Sequence, residues 1–421
     1  MINKVKLGDV CDLSIGFVGT VTSQYEDGGI PFFRTLNIKP YKIDDDDLKR
    51  ITLDFHESQK KSQLREGDIA MVHTGVPGIC CVIPKEYDNS NCIDMIVIKP
   101  HNEKVDAYYL AAYMNTIGYK HIERQQVGCI QKHFNLKDAV ELEVFLPDIA
   151  VQKKIGAFVK NLNKRIDLNE SIMDKIDSFI KMLYDYWFLQ FEFPNSEGKA
   201  YKSNGGSVVW NEFLKKDIPE GWYVGKFKDL LDTLECGNRP SGGVKDLEEG
   251  IPSIGAENVI EIGKYDFGSE KYISNDYFST MKKGIVKSGD ILLYKDGAGV
   301  GASSMAKNGF PHELCAVNSH VFILRSKDNN LYQNYLYYSL QKNYIKKLLV
   351  SLAMKAAQPG LNQPSVESIP IIIPCKDVLE RFNESVNDMI DMIILLAKQN
   401  REMEVMRDEF LPLLLNGQVK M

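Results

Sequence analysis

The side-chain groupings in this chain that could do chemistry are few. Gly297-Ala298-Gly299-Val300-Gly301 follows a strand-like run and is the nearest approach to a glycine loop that could cradle phosphates. The matching segment of an internal repeat, Thr74-Gly75-Val76-Pro77-Gly78, keeps a turn but lacks the G-x-G spacing, so a shared strand-exit turn is expected rather than a cofactor loop. There is no G-x-x-x-x-G-K-[ST], no His-Glu-x-x-His, and no Asp/Asn-Pro-Pro-Tyr/Phe string of the kind amino-methyltransferases use. Pro147-Asp148 and Glu197-Gly198-Lys199 come closest to nuclease chemistry, but the first is expected to start a long helix and the second to lie in a polar loop. The run Asp44-Asp45-Asp46-Asp47 lacks the spacing of a calcium loop and reads as a solvated bend. Eight cysteines (Cys11, Cys80, Cys81, Cys92, Cys129, Cys236, Cys315, Cys375) form no CxxC pair and no Cys/His ligand spacing. Reduced, mostly buried thiols and no metal site are therefore expected. With no catalytic signature, a non-enzymatic chain is expected.

The chain has 421 residues, a length that fits two or three domains, and its 44% hydrophobic content is ample for real cores. Lys and Arg number 51 against 57 Asp and Glu, leaving a net charge of −6, unlike a protein that grips nucleic acid through its whole surface. Any nucleic-acid role must be local or shared with a partner. The opening Met1-Ile2-Asn3-Lys4-Val5-Lys6 has no apolar core, and apolar runs such as Ile371-Ile372-Ile373 fall far short of the ~18 residues needed to span a bilayer. A cytoplasmic protein that engages no membrane is the expectation.

The groups are positioned by elements that occur twice. Gly29-Ile30-Pro31 returns as Gly250-Ile251-Pro252, Asn37-Ile38 as Asn258-Val259, Gly67-Asp68-Ile69 as Gly289-Asp290-Ile291, and Tyr109-Leu110 as Tyr335-Leu336. Gln131, Asn135 and Pro147 match Gln358, Asn362 and Pro374 at a constant shift of 227. Each match alone is near chance, but their shared order implies two copies of one domain.

Each copy is followed by a heptad stripe. The first runs Ile155, Val159, Leu162, Ile166, Asn169, Met173, Ile176, Ile180, Leu183 and Trp187. The second runs Leu379, Phe382, Val386, Met389, Ile393, Leu396, Asn400, Met403, Arg407 and Phe410. A narrow stripe needs one partner helix rather than a sheet, so the two long helices are expected to pair as an antiparallel coiled coil within the chain. The alternative is that each helix packs on its own domain. Asn169 and Asn400 interrupt the two seams, and whether they face each other depends on a stagger the sequence does not reveal.

Before each helix the sequence reads as mixed α/β. Ile69 to Val72 and Ile291 to Tyr294 look like buried strands, as do Met95 to Ile98 and His320 to Leu324, whereas Ala107 to Met114 and Leu331 to Leu340 look helical. The expected class is α+β: two similar mixed α/β domains separated by a two-helix antiparallel coiled coil, with pseudo-twofold character. The boundaries are a first domain over 1–147, a central spacer helix over 148–190, a polar linker over 191–218, a second domain over 219–374, and a second spacer helix and tail over 375–421.

These ordered pieces resemble one family over essentially the whole chain, the specificity (S) subunits of type I restriction-modification systems. The most specific marks are Phe191-Glu192-Phe193-Pro194, the stretch Gly198-Lys199-Ala200-Tyr201-Lys202-Ser203-Asn204-Gly205-Gly206, and Val209-Trp210-Asn211-Glu212. Ile218-Pro219-Glu220-Gly221-Trp222 and the stretch from Phe410 to Val419 add to them. Gln358-Pro359-Gly360-Leu361-Asn362-Gln363 looks like the family's loop before the last strand of a recognition domain, while the first copy departs from it as Gln131-Lys132-His133-Phe134-Asn135-Leu136.

The resemblance implies a subunit that reads a split double-stranded DNA target with two target recognition domains. It would position methyltransferase (modification) subunits, two of them, for adenine methylation, with restriction/translocase subunits joining for cleavage. S-adenosylmethionine, ATP and Mg would sit on those partners and no cofactor on this chain. A helix of about 35 residues would be on the order of 50 Å long, more than one ~34–36 Å turn of B-DNA, so the target would carry a gap. Base readout needs Arg or Lys for guanine and Asn or Gln for adenine on loops that reach the major groove. The candidates are Arg34, His73, Thr74, Gln131, Lys132 and His133 in the first copy and Lys295, Lys355, Gln358 and Asn362 in the second. Gln131 and Gln358 share a repeat position, which suits loop shaping or a phosphate contact better than readout of two different bases. A second hypothesis is a coiled-coil scaffold whose two heads bind proteins rather than DNA.

Overall fold

The computed structural model describes residues 3–120, 122, 134–240, 247–355 and 359–419. It divides into two compact units, one of Met1–Asp167 with Glu402–Met421 and one of Leu168–Arg401.

In the first unit an antiparallel four-stranded sheet has the order Cys11–Ile15, Met95–Pro100, Ile69–Val72, Cys80–Val82. The second unit holds a sheet of the same order in the corresponding segments, Leu231–Cys236, Val321–Ser326, Ile291–Tyr294, Ser303–Met305. Both also contain a two-stranded antiparallel ladder, Asn3–Lys6 with Glu143–Leu146 and Tyr223–Lys226 with Pro370–Ile373. A parallel pairing recurs as well, Phe32 opposite Asn91 and Ser253 opposite Ala316. The central strands are buried at every position in Ile69–Val72 and nearly so in Ile291–Tyr294, which explains why they read as continuous apolar runs.

The same buried polar contacts hold both copies. Asn37 accepts from the Arg34 amide at 3.0 Å and donates to the Asp44 carbonyl at 2.8 Å, and Asn258 accepts from the Gly255 amide and donates to the Asp266 carbonyl, both at 2.8 Å. The hydroxyls of Tyr109 and Tyr335 donate to the carbonyls of Phe145 and Ile372 on the edge strands. Asn135 and Asn362 each cap a short helix, accepting from the amides of Asp138 and Ser365 at 2.9 Å. Asp68 and Asp290 each close the turn into the central strand by accepting from the amides of Arg65 and Lys287. Burial holds both carboxyls above their ordinary range, although two 2.7 Å hydrogen bonds from Arg325 pull Asp290 the other way.

The central helix spans Ile149–Tyr184 and the distal helix Lys376–Leu415. In the second unit Asn169 donates to Asn400 at 2.8 Å, so the two seam asparagines do face each other, both buried. The apolar seam around them contains Met173, Ile180, Val386 and Ile393, with Ile176, Leu183, Met389 and Leu396 partly buried against it. In the first unit Arg407 donates to Asn163 at 2.8 Å and lies over the Tyr41 ring, while Ile155 and Val159 share a core with Leu411, Leu414 and Leu415. Ile166 is buried and Leu162 half-buried. The pairs Asn169 with Asn400 and Asn163 with Arg407 run in opposite senses along the two helices, the antiparallel register that the heptads predicted.

Two expectations need correcting. Phe410 is 47% exposed, and the buried row passes instead through Leu411 and Leu414, because a helix of 3.6 residues per turn drifts off a strict 3.5 repeat. The segment over 191–218 is a folded element rather than a polar linker. Val208–Asn211 and Lys216–Pro219 form a hairpin, and Phe193 stacks between Tyr201 and Trp222 at centroid distances of 4.5 and 5.1 Å. Its polar residues, with Trp210 and Phe213, face solvent, while Phe191, Phe193 and Trp222 find a core that local composition does not reveal.

Among the described residues no helix is long and apolar enough to cross a membrane, and no cluster of His, Cys, Asp and Glu is arranged for a metal ion. Seven described cysteines are free thiols, and burial pushes Cys11, Cys81 and Cys315 up to about 12, leaving them protonated and unreactive near neutral pH. Cys129 lies outside the described residues.

Candidate nucleic-acid interface

The candidate readers sit where the central strand of each sheet runs out into a loop. After Ile69–Val72 the chain turns through Gly75 and Gly78, both at positive φ, and closes with the Gly78 amide on the Val72 carbonyl at 2.9 Å. After Ile291–Tyr294 it turns through Gly297 and Gly301, also at positive φ, and the Gly301 amide closes on the Tyr294 carbonyl at 3.0 Å. A Cβ at Gly299 would lie 2.3 Å from the Tyr294 ring. These glycines are there so that the chain can wrap over its own strand end, the shared strand-exit turn expected from the sequence.

A second loop docks on this turn in the same way in both copies. The Phe134 amide donates to the His73 carbonyl at 2.8 Å, and the Leu361 amide donates to the Lys295 carbonyl at 2.7 Å. Each domain thus brings its strand-exit turn against the loop that leads into the Asn135 or Asn362 helix cap.

Gln131, Lys132, His133 and Gln358 lie outside the described residues. In the first domain His73 is 5% exposed and its Nδ1 lies 3.2 Å from the Thr74 hydroxyl, so Gly75 and Val76 form the outer surface of that turn. Arg34 follows the strand that ends at Phe33. It donates to the Asp47 carboxylate at 3.0 Å and to the Asp47 carbonyl, and hydrogen bonds from Lys49 and Arg34 hold that carboxyl below its ordinary range. The aspartate run is in this respect a ligand for Arg34, with Asp45 accepting from the Tyr87 hydroxyl at 3.0 Å.

In the second domain Lys295 rests its ammonium over the Phe322 ring at 5.1 Å, half-buried. Lys355 is exposed just beyond the helix Asn343–Met354. Asn362 is exposed, but its side-chain oxygen is committed to the helix cap. Sequence reasoning missed His320, whose Nδ1 lies 2.5 Å from Asp296 Oδ1 beside the same turn. The only signal was that His320 opens one expected strand and Asp296 lies just past the end of another, and their proximity comes from the sheet.

A further surface lies on the helices of the second unit. Leu168, Ile172, Phe179, Met182 and Tyr186 on the central helix, and Met392 and Leu395 on the distal helix, are exposed. Each stands one position before a seam residue. Antiparallel helices are related by a twofold axis perpendicular to their common plane, so the same offset on each opens on the same flank of the pair. Exposed Lys175, Ser385 and Asp388 share this offset, so the flank carries apolar residues interspersed with polar ones.

A duplicated mixed α/β domain whose copies alternate with two long antiparallel helices is the class that this arrangement defines. The family model described as type I restriction modification DNA specificity domain matches residues 2–178 and again 219–402, and the chain belongs to that family. The type I restriction enzyme MjaIX specificity subunit of Methanocaldococcus jannaschii is 26% identical over 66% of this chain, and the match spans 61% of that relative's length. The HindI specificity subunit of Haemophilus influenzae is 22% identical over 86% of this chain and 88% of its own. A crystal structure of the type I restriction-modification S subunit from M. genitalium has the same fold, with a TM-score of 0.60 at 14% identity, covering 98% of this chain and 96% of that one.

Proposed function

We propose that this chain is the DNA-reading subunit of a type I restriction-modification complex, non-catalytic itself and acting in the cytoplasm. Its two domains read the two halves of a gapped target. The central helix, 36 residues at about 1.5 Å each, sets the spacing between the halves. The observation that carries this reading is the double match to a DNA specificity domain, each copy running from one mixed α/β domain into the long helix that follows it.

Modification subunits dock on the chain and methylate adenine, using S-adenosylmethionine that they hold, and a restriction subunit that uses ATP and Mg joins for cleavage. The exposed apolar residues on that flank of the helix pair support a protein partner there. The net charge of −6 supports a shared grip on DNA: phosphate contacts supply much of the affinity, and this chain is poorly furnished for them.

The test is to assemble the chain with its modification subunits and S-adenosylmethionine, treat a random DNA library, and sequence the methylated bases. A split motif is expected, and exchanging one domain for another of the family should change only one half of it. The isolated chain should bind target DNA weakly and with steep salt dependence. Equal affinity with and without the modification subunits would sink the shared-grip reading, and a change in both halves of the motif would sink the split assignment.

A further inference from the structure

Five loops meet at one end of the second domain's sheet, and glycines are what let them meet. A Cβ at Gly237 would lie 1.6 Å from the Val317 carbonyl oxygen, and one at Gly284 would lie 2.5 Å from Gly237 Cα. A Cβ at Gly360 would lie 2.9 Å from Asp296 Cβ. The loops at 237–240, 282–284, 295–301, 317–320 and 359–362 are therefore packed backbone to backbone. They carry exposed Arg239, Lys282 and Lys283 at their outer edge.

His320 stands inside this rim and is held at three points. Its amide donates to the buried Asn318 side chain at 2.7 Å, its carbonyl accepts from the Lys295 amide at 3.1 Å, and its Nδ1 faces Asp296 Oδ1 at 2.5 Å. A carboxylate can only accept, so Nδ1 carries the proton and the ring orientation is set. The side chain is 38% exposed, and among the described residues no partner is recorded for Nε2. A side chain locked by its own backbone and by a carboxylate, with one polar atom left toward solvent, is built to present that atom to something outside the chain.

We propose that His320 reads a base edge in the half-site taken by the second domain, with Asp296 as its positioning residue and Lys282 and Lys283 as phosphate contacts beside it. The proposal rests on the DNA-reading function above. Nε2 accepts from the exocyclic amino group of adenine or cytosine when the ring is neutral and donates to guanine O6 or N7, adenine N7 or thymine O4 when it is charged. Either way a single fixed polar atom selects among the base edges set against it. The first domain has no equivalent: the residue at the repeat position of His320 is Asp94, and that of Asp296 is Thr74.

The experiment uses the full complex of this chain with its modification subunits and reads the methylated motif from a randomised DNA library. His320→Ala should relax one position in one half of the motif, lowering preference there on the order of fivefold to tenfold and leaving the other half unchanged. Asp296→Asn should relax the same position by less. Lys282→Ala with Lys283→Ala should leave the motif intact while lowering affinity for every sequence and flattening the salt dependence. Thermal unfolding checks that each variant folds, and His320→Phe, which keeps a ring but no polar atom, stands in if the alanine variant does not. An unchanged motif in a folded His320 variant overturns the proposal, as does relaxation in both halves. If the unmodified complex yields no split motif, the function proposed above fails instead, so the two failures are distinguishable.

Discussion

In the first domain the strand Ile69–Val72 runs out into a buried histidine and then into glycine, valine and proline. In the second the equivalent strand Ile291–Tyr294 runs out into Lys295 and Asp296, with His320 docked alongside. Beneath these unlike tips the hydrogen bonds of Asn37 and Asn258, of Tyr109 and Tyr335, and of Asn135 and Asn362 repeat nearly atom for atom. A duplicated domain conserves the contacts whose loss would leave buried backbone unpaired, and varies where a side chain meets whatever lies outside. The repeat positions first picked out in the sequence are mostly scaffold for this reason, and the side-chain oxygen of Asn362 is engaged as a helix cap.

The domains also differ in one buried charge, which gives the largest expected effect. Asp290 is 1% exposed and takes two hydrogen bonds from Arg325, whereas the ammonium facing Asp68 is that of Lys99 at 3.9 Å, itself 40% exposed. Arg325→Met should cost about 3 kcal/mol by leaving a buried carboxylate without the guanidinium that offsets its charge. Lys99→Met should cost less than about 1 kcal/mol. Urea unfolding of the two variants checks the ratio, and equal losses would mean that the two turns are closed by the same forces after all.

Removing either scaffold asparagine should come next. Asn37→Ala and Asn258→Ala each orphan a backbone amide and a carbonyl, at about 2–3 kcal/mol, and the two losses should agree if the repeat is energetic as well as geometric. In the helix pair Asn400→Leu should destabilise by about 1–2 kcal/mol, because it strands the Asn169 amide. The double change to leucine at 169 and 400 should recover that loss, at some cost in the uniqueness of the helix register. The smallest effect is at the caps. Asn135→Ala and Asn362→Ala should each lose about 1 kcal/mol, and the methylated motif should stay unchanged if Asn362 is a cap alone.

The two-copy order, the mixed α/β class and both heptad stripes were legible in the residues because each rests on spacing along the chain. Strand ends, turn glycines and seam positions are local patterns, and a helix or strand reports them within a few turns. The base-reading candidates were much less legible. Arg34 proved to be held by Asp47, His73 lay beneath its loop, and Lys295 leaned on Phe322. A polar residue in a loop looks the same in sequence whether it faces solvent or a neighbour 13 or more positions away.

What residue order and type determined was therefore the architecture: two equivalent domains, two helices that need each other, and no motif for catalysis. The tertiary structure alone decided the meeting of Asn169 with Asn400, the shift of the seam from Phe410 to Leu411, and the burial of Phe191, Phe193 and Trp222. It also decided the pairing of His320 with Asp296. Each of these depends on helix stagger or on strands that are neighbours only in the sheet. Free energy at such places comes from contacts between residues far apart in the chain, which no local pattern encodes.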